Sequence, residues 1–213
     1  MKIIDGKMVS NSVKEQVKSE TEKLKAQGIT PGLAVILVGD DPASRVYVNN
    51  KKKACEFVGF KSEEFALPAS TTQDELLNLV EELNNRKDIN GILCQLPLPK
   101  GLDDNAVIEA ISPIKDVDAF HKQNVGRIMI GDYDFLPCTP AGIMEMLHAY
   151  DISVDGKKCV VIGRSNIVGK PMAMLLLHEN GTVTICHSHT ENLNEITAQA
   201  DILVAAIGKA KFV

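Results

Sequence analysis

Apolar runs that alternate with helix-like segments constrain the fold of this chain more than any other feature. The run LAVILVGD (33–40) is apolar through Val38, which is typical of a strand covered on both faces. Strands and helices alternate along the sequence, and this order predicts the α/β fold class with parallel sheets. The other predicted strands are GILCQLPL (91–98), CVVIGR (159–164), TVTICHS (182–188) and ILVAAIG (202–208).

Helix start and stop signals separate these strands. A helix over residues 9–27 ends at Gly28, and a capping box of Thr72 and Glu75 opens another helix. Further helices are predicted to end at Gly59 and to lie over residues 103–111, over 168–179 and from about 192.

The middle of the chain marks the predicted domain boundary. Residues 112–138 are rich in Asp, Gly and Pro, and we expect them to be irregular. Thr139 is expected to cap a helix that has Pro140 at its first position. The sequence therefore predicts two α/β domains, one over residues 1–138 and one over residues 139–213.

Composition narrows the class of protein. The 213 residues are 45% hydrophobic, enough for a substantial core, and the net charge of −5 argues against a general binder of nucleic acid or acidic membranes. The opening MKIIDGKMVS has too short an apolar run for a signal peptide or a membrane span. The five scattered cysteines include no Cys-x-x-Cys motif, which indicates reduced, mostly packing residues in a cytoplasmic protein. We expect no metal site.

The segment VVIGRSNIVGKP (160–171) predicts a phosphate site. An apolar strand leads into Gly163, Arg164 and Ser165, and Gly169 opens a helix. Glycine lets the backbone approach a phosphate, and the first turn of a helix offers free N–H groups. The segment differs from the G-x-G-x-x-G pattern, so a tight strand-to-helix turn without a ligand stays open as an alternative.

The end of the next predicted strand favours NADP over NAD. A site for NAD normally places an acidic residue there to hold the ribose 2′-hydroxyl. In this chain the strand ends in His187, Ser188, His189 and Thr190, and the first carboxylate is Glu191. Neutral groups there, with Arg164 in the preceding turn, suit a 2′-phosphate. Capping of the helix near 192 is a second reading for Ser188 and Thr190, and it is compatible with cofactor binding.

Three consecutive lysines follow a tyrosine in the first domain. On a helix Tyr47 and Lys51 share a face, whereas Lys52 and Lys53 turn away from it. Either Lys51 has a specific role, or all three lysines form a solvated stripe, which is the commoner case for long basic side chains.

Two further polar positions stand out before the domain boundary. Gln95 interrupts an apolar strand near its carboxyl end, where a parallel sheet faces its ligand, and a buried amide needs partners. Asp116 and Asp118 lie in the segment expected to be irregular, where binding residues are common, although turn formation and solvation would also explain them.

Six motifs together resemble the bifunctional 5,10-methylenetetrahydrofolate dehydrogenase/cyclohydrolase family, and they occur in the family's order. The resemblance implies NADP-dependent oxidation of methylenetetrahydrofolate, hydrolysis of the methenyl product to 10-formyltetrahydrofolate, a Rossmann-like second domain, a folate cleft between the domains and a homodimer. The motifs are SRVYVNNKKKACEFVGF (44–60), GILCQLPLPKGLDD (91–104), SPIKDVDAFH (112–121), PCTPAGIMEML (137–147), GRSNIVGKPMAMLL (163–176) and TVTICHSHTENL (182–193).

The resemblance also implies roles for single residues. Tyr47 matches the tyrosine that stacks on folate, and Lys51 matches the lysine of the cyclohydrolase step. Gln95 matches the glutamine that hydrogen-bonds this lysine, and Asp118 matches the carboxylate that holds the amino-pyrimidine edge. Pro97 is expected to contact the substrate as well. The matching NADP contacts are Gly163, Arg164, Ser165 and Ser188.

The chain departs from the family pattern in two places. Ala119 stands where the family usually has glycine, which is expected to shift the loop that carries Asp118. The sequence ends at GKAKFV, before the further strand, the Gly/Pro-rich loop and the final helix of the family, so a C-terminal truncation with an incomplete cofactor domain is expected.

A folate-binding remnant, with cyclohydrolase activity only or with no turnover, is therefore the alternative function. An NAD-dependent, dehydrogenase-only relative is disfavoured because Ser188 and its neighbours include no acid.

Overall fold

The structure, a computed structural model, describes residues 3–209. The last four residues of the GKAKFV ending lie outside this range. Residue contacts divide the chain into two compact units, one from Asp5 to Val117 and one that begins at Asp118 and includes Ile3 and Ile4. The boundary predicted at residue 138 stays a prediction. No helix between residues 3 and 209 is both long enough and apolar enough to cross a bilayer.

The first unit is a three-stranded parallel sheet with helices around it. Its strands have the order β2-β1-β3, and the central strand β1 is buried on almost every residue, as its apolar sequence predicts. The capping box of Thr72 and Glu75 is present at the start of α3. The elements are α1 (Gly6–Ala26), β1 (Gly32–Val38), α2 (Pro42–Val58), β2 (Lys61–Leu67), α3 (Gln73–Asn85), β3 (Gly91–Cys94) and α4 (Asp104–Ala110).

The second unit repeats this arrangement with the parallel strand order β5-β4-β6. Its core lies between the sheet and the helices α6 and α7, around Cys159, Val161, Met172 and Leu176. The predicted α/β class with two parallel sheets is therefore confirmed. The elements are α5 (Lys122–Ile130), α6 (Cys138–Ala149), β4 (Lys158–Ile162), α7 (Gly169–His178), β5 (Thr182–Cys186), α8 (Leu193–Thr197) and β6 (Ile202–Ala205).

The prediction that residues 112–138 are irregular is wrong for their middle part, which forms α5. The His121 ring accepts a hydrogen bond from the Gln123 N–H at the start of this helix (3.1 Å), and Gly131 ends it in the left-handed conformation. The abundance of Asp, Gly and Pro around the helix, and Gly126 within it, conceal a short helical pattern.

The start of α6 also differs from its prediction. The helix begins at Cys138 rather than after Thr139, its N-cap is Pro137, and no side chain caps it. Pro140 therefore occupies the third helical position. This is tolerated because the first N–H groups of a helix have no partner within it.

The sequence does not predict the strand β2, because KSEEFAL begins with polar and charged residues. Those charges are paired in the structure. Glu63 receives two hydrogen bonds from the Arg86 guanidinium (2.9 and 2.7 Å), and Glu64 pairs with Arg45 on α2. An edge strand tolerates such residues because one of its sides has no neighbouring strand.

Acid should weaken this ion-pair cluster. The Arg86 side chain, through its hydrogen bonds, lowers the pKa of Glu63 and of Asp88 below their ordinary values of 4.5 and 3.8. A carboxyl group whose pKa is lower in the folded than in the unfolded state stabilises the fold at pH values above its unfolded-state pKa. This stabilisation is lost as the pH falls through the folded-state pKa. We expect the urea midpoint of Arg86→Met to fall less than that of the parent between about pH 5 and pH 2. Lys87→Met, at an exposed neighbour, should behave like the parent, and equal acid sensitivity of parent and Arg86→Met would contradict this account.

Candidate functional site

The helix α2 presents the first group of predicted site residues. Asp41 caps it by accepting a hydrogen bond from the Ser44 N–H (2.7 Å), and Gly59 ends it with a positive φ of 85°. Its buried face includes Val48 and Cys55, which hold the helix in place through the core of the first unit.

Lys51 differs from its two neighbours in its surroundings. Its side chain is half-buried, and its Nζ donates a hydrogen bond to Gln95 Oε1 (2.9 Å), whereas Lys52 and Lys53 are exposed. The Gln95 Nε2 group donates to the carbonyl of Leu96 (2.8 Å), so both ends of this amide are engaged. An ammonium has three N–H groups, and within residues 3–209 the Lys51 ammonium uses one of them, for Gln95, which leaves two for a ligand.

Gln95 lies just beyond β3 rather than within it. The strand ends at Cys94, and the prediction of a strand through residue 98 is therefore too long. The Gln95 N–H still donates to the carbonyl of Ile36 on β1 (2.9 Å), which fixes the residue at the carboxyl end of the parallel sheet. Pro97, which cannot donate to a neighbouring strand, follows across a cis peptide bond and is exposed.

Tyr47 lies one helical turn before Lys51, and 61% of its surface is exposed. Residues four apart on a helix share a face, so the ring and the ammonium are neighbours along α2. An exposed aromatic ring beside a cationic group and an amide can bind a flat heteroaromatic ligand by stacking and hydrogen bonding.

Asp118 belongs to the second unit, and the structure does not group it with Lys51 and Gln95. It is half-buried and is followed by Ala119, which is 99% buried and has a φ of 55°. This left-handed conformation costs a residue with a Cβ roughly 1–2 kcal/mol, which explains why glycine would suit the position.

The turn from β4 into α7 is shaped by two glycines. A Cβ on Gly163 would lie 2.5 Å from the carbonyl oxygen of Ala206, and a Cβ on Gly169 would lie 2.3 Å from the carbonyl oxygen of Gly163. The Gly163 N–H donates to the carbonyl of Cys186 (2.8 Å), which ties the turn to the end of β5. This close packing of strand, turn and helix is the backbone arrangement that a dinucleotide phosphate requires.

Ser165 has a structural role that the sequence does not reveal. Its Oγ accepts hydrogen bonds from the N–H groups of Val168 and Gly169 (both 3.2 Å), so two of the N–H groups expected to be free at this helix start are engaged. Arg164 is exposed, and its guanidinium has no ion-pair partner in residues 3–209. The turn therefore presents an unpaired cation to a ligand.

The residues after β5 form a compact turn. The Thr190 Oγ1 accepts a hydrogen bond from the His187 N–H (2.8 Å), and Ser188 is exposed on this turn. The helix α8 has Asn192 as its N-cap and no side-chain cap, so the alternative reading, in which Ser188 and Thr190 cap this helix, is wrong. The glycine-lined turn and the exposed Arg164 fit a phosphorylated dinucleotide, and no carboxylate lies between Cys186 and Glu191.

Both units match described protein families. Residues 4–118 match the tetrahydrofolate dehydrogenase/cyclohydrolase catalytic domain, and residues 137–213 match the NAD(P)-binding domain of the same family. The chain is 60% identical over 212 residues to the bifunctional protein FolD of Acetivibrio thermocellus, and the alignment covers 100% of this chain and 74% of that protein.

Two solved structures are similar over nearly the whole chain. The bifunctional enzyme FolD, methylenetetrahydrofolate dehydrogenase/cyclohydrolase, of Campylobacter jejuni has a TM-score of 0.97 at 47% identity, with coverage of 100% of this chain and 76% of that one. The N5,N10-methylenetetrahydrofolate dehydrogenase-cyclohydrolase of Trypanosoma brucei, complexed with NADP cofactor and an inhibitor, has a TM-score of 0.92 at 36% identity, with coverage of 98% and 72%.

Proposed function

The chain belongs to the tetrahydrofolate dehydrogenase/cyclohydrolase family, and on this premise we infer that it is a bifunctional enzyme of one-carbon metabolism. It oxidises 5,10-methylenetetrahydrofolate to the 5,10-methenyl cation and hydrolyses that cation to 10-formyltetrahydrofolate. The hydrogen bond between Lys51 and Gln95, beside the exposed ring of Tyr47, is the observation that supports this most directly.

The folate-binding residues have complementary tasks. Tyr47 stacks on the pterin, and Asp118 accepts hydrogen bonds from its amino-pyrimidine edge. Gln95 orients the Lys51 ammonium, and Pro97 lines the substrate site. The exposed ring of Tyr47 and the engaged amide of Gln95 support this assignment, since a flat ligand needs an accessible ring and fixed polar groups.

The hydrolytic step requires proton transfer. Water adds to the methenyl carbon of the cation and loses a proton, which leaves a hydroxyl group on that carbon. The ring opens when the bond from this carbon to N5 breaks, the hydroxyl oxygen gives up its proton as it becomes the formyl C=O, and N5 takes up a proton. Lys51 is the group that exchanges protons at the reacting atoms, while Gln95 holds its Nζ in place. The half-buried position of Lys51 and its single hydrogen bond within the described residues support this role.

The second unit is an NAD(P)-binding domain, and we propose NADP as its cofactor. When bound, NADP⁺ accepts a hydride from the one-carbon bridge of the substrate. Gly163 and Ser165 shape the turn that holds the pyrophosphate, and Arg164 with Ser188 binds the ribose 2′-phosphate. The exposed, unpaired Arg164 and the absence of an acid from residue 187 to residue 190 support NADP.

A two-step assay tests the proposed function. The purified chain should form NADPH when it is given methylenetetrahydrofolate and NADP⁺, and it should accelerate the loss of methenyltetrahydrofolate absorbance above the rate in buffer. The second measurement needs no cofactor, so the two activities are scored independently. A chain that shows neither activity would overturn the proposal.

We also propose that the chain forms a homodimer through the exposed apolar residues of α5. Val125, Met129 and Ile130 on this helix are 42%, 61% and 75% exposed. Exposed apolar surface of this kind marks interaction sites in soluble proteins.

Met129→Glu should weaken the dimer at least tenfold because it places a charge on this apolar surface. Met8→Glu is the matched control, since Met8 is 54% exposed on α1 in the first unit. Analytical ultracentrifugation over a range of concentrations should show dimers for the parent and for Met8→Glu and monomers for Met129→Glu. A monomeric parent, or an unchanged dimer of Met129→Glu, would contradict the assignment.

A further inference from the structure

Lys115 has surroundings that are unusual for a lysine. Its Nζ donates three hydrogen bonds, to the carbonyls of Leu83 (3.1 Å), Asn84 (2.8 Å) and Arg86 (2.7 Å). These carbonyls lie at the C-terminal end of α3, where the last carbonyls of a helix lack partners in the next turn and carry a partial negative charge. The Arg86 N–H also donates to the carbonyl of Leu83 (3.3 Å). All three N–H groups of the ammonium are therefore used, and its position is fixed in three directions.

The backbone beside Lys115 is held as firmly as its side chain. The Ile92 N–H of β3 donates to the carbonyl of Lys115 (2.7 Å), and Ile92 forms a parallel bridge with Asp116. Val117 packs so closely against Gly91 that a Cβ on this glycine would lie 2.5 Å from the Val117 Cγ1. Residues 115–117 thus run alongside β3 without being counted as a strand.

Asn84 anchors the beginning of the same segment. Its Nδ2 group donates to the carbonyl of Ala110 (2.8 Å), and its Oδ1 accepts a hydrogen bond from the Ser112 N–H (2.9 Å). Asn84 and Lys115 together attach the segment from residue 110 to residue 117 to the last turn of α3 at two points. We call this attachment the α3 clamp.

The helix end that receives the clamp is itself fixed. Arg86, the C-cap of α3, binds Glu63 of β2 with both terminal nitrogens and also binds Asp88 (3.0 and 2.7 Å). A bidentate pair of this kind restrains orientation as well as distance. The α3 clamp therefore connects residues 110–117 through Arg86 to β2. The hydrogen bond from the Ile92 N–H separately connects the same segment to β3, at the other edge of the first sheet.

The α3 clamp has a free-energy cost, because it removes the charged ammonium of Lys115 from water. Burial lowers the pKa of the Lys115 ammonium, because desolvation disfavours its charged form, and the Arg86 cation lowers it further while Asp88 opposes the shift. Water could donate hydrogen bonds to the same carbonyls without this desolvation. What the α3 clamp provides in addition is a fixed backbone direction at Val117, the residue directly before Asp118.

We propose that Lys115 is a positioning residue for folate binding, which it serves by fixing the backbone that leads into Asp118. This inference rests on the proposed role of Asp118 toward the amino-pyrimidine edge of the substrate. A carboxylate that accepts hydrogen bonds from two sites of one ring edge requires accurate placement, and an error of about 1 Å lowers activity by up to about 10²-fold. Nothing in the residue pattern alone marks Lys115, because its partners lie about thirty positions away in the sequence.

Lys115→Met tests this inference in the whole chain, with Lys87→Met as the matched control because Lys87 is exposed beside the same helix end. We expect the KM for methylenetetrahydrofolate to rise about tenfold in Lys115→Met and the KM for NADP⁺ to stay within about twofold. Asp118→Ala combined with Lys115→Met should be hardly worse than Asp118→Ala alone, since residues that act as a unit are not additive. An additive double variant, or equal effects on both KM values, would overturn the inference.

Hydrogen exchange gives a readout that does not require activity. Amide exchange over residues 116–120 should become faster in Lys115→Met and stay at the parent rate in Lys87→Met. If Lys115→Met does not fold, Asn84→Ala removes the second anchor of the α3 clamp and should give the same exchange pattern. If a folded variant shows unchanged amide exchange over residues 116–120, the inference is overturned, whether or not the protein is active. If the parent chain has no activity, only the proposed function is contradicted.

Discussion

Lys51→Met should reduce the hydrolysis of methenyltetrahydrofolate by about 10²–10⁴-fold, which is the usual effect of removing a group that transfers protons. Methionine keeps most of the length and the apolar stem of lysine but cannot exchange a proton or donate to Gln95 Oε1. Folate binding should remain largely intact, because stacking on Tyr47 does not need the ammonium. The measurement is the rate of methenyltetrahydrofolate loss at one pH with saturating substrate.

Lys52→Met and Lys53→Met are the matched controls for this experiment. They make the same change one and two residues further along α2, at exposed positions. Both should hydrolyse the substrate at the parent rate within about twofold, since a solvated lysine contributes little. If either control loses as much activity as Lys51→Met, the solvated-stripe interpretation of the three lysines is the better one.

The same variant should separate the two activities. Hydride transfer depends on holding the nicotinamide against the folate carbon and not on a proton from Lys51. Dehydrogenase activity in Lys51→Met should therefore fall less than cyclohydrolase activity, and through substrate positioning alone. Equal losses of both activities would indicate that Lys51 mainly binds the substrate.

The elements that the sequence predicts well are those in which local pattern and tertiary environment agree. The continuous apolar run of β1 needs cover on both faces, and a central parallel strand has it. The capping box of α3 depends on two residues three positions apart and forms wherever that helix starts. Gly163 stands out in the sequence because glycine lets the backbone approach a phosphate, and in the structure a Cβ at this position would lie 2.5 Å from the carbonyl oxygen of Ala206.

The elements that were missed depend on partners distant in the sequence. The charged residues of β2 look unsuited to a strand until Arg86 and Arg45 are placed opposite Glu63 and Glu64. Lys115 is likewise an ordinary lysine in the sequence, and only the fold brings its ammonium to the end of α3. Such roles are fixed by tertiary contacts, which neither spacing nor propensity encodes.

The proposed cofactor site contains both kinds of residue. The two close-packed glycines of the turn, Gly163 and Gly169, follow from local geometry, whereas the hydroxyl of Ser165 turns inward to accept two N–H groups of the helix start. A phosphate at this turn consequently meets fewer free N–H groups than the sequence suggests. That increases the share of binding that the exposed Arg164 must supply.

Arg164→Ala should raise the KM for NADP⁺ about ten- to hundredfold, because a charge-assisted contact to a phosphate contributes roughly 1.5–3 kcal/mol. The KM for NAD⁺ should hardly change, since NAD⁺ has no 2′-phosphate for the guanidinium to bind. Arg164 is exposed and has no ion-pair partner within residues 3–209, so its removal should leave the thermal midpoint of unfolding within about one degree of the parent value. Initial rates with saturating methylenetetrahydrofolate and varied cofactor measure both constants.

Arg164→Lys distinguishes a specific contact from a general effect of charge. Lysine keeps the positive charge but loses the planar fork that binds phosphate through two parallel hydrogen bonds. We therefore expect a KM for NADP⁺ between the values of the parent and Arg164→Ala. Arg164 would lose its role as the 2′-phosphate ligand if the parent used both cofactors equally well or if Arg164→Ala raised both KM values by the same factor. In either case, the absence of a carboxylate from the turn after β5 would not be enough to select NADP⁺ over NAD⁺. Such a turn does not repel the 2′-phosphate of NADP⁺, but it contains nothing that disfavours NAD⁺.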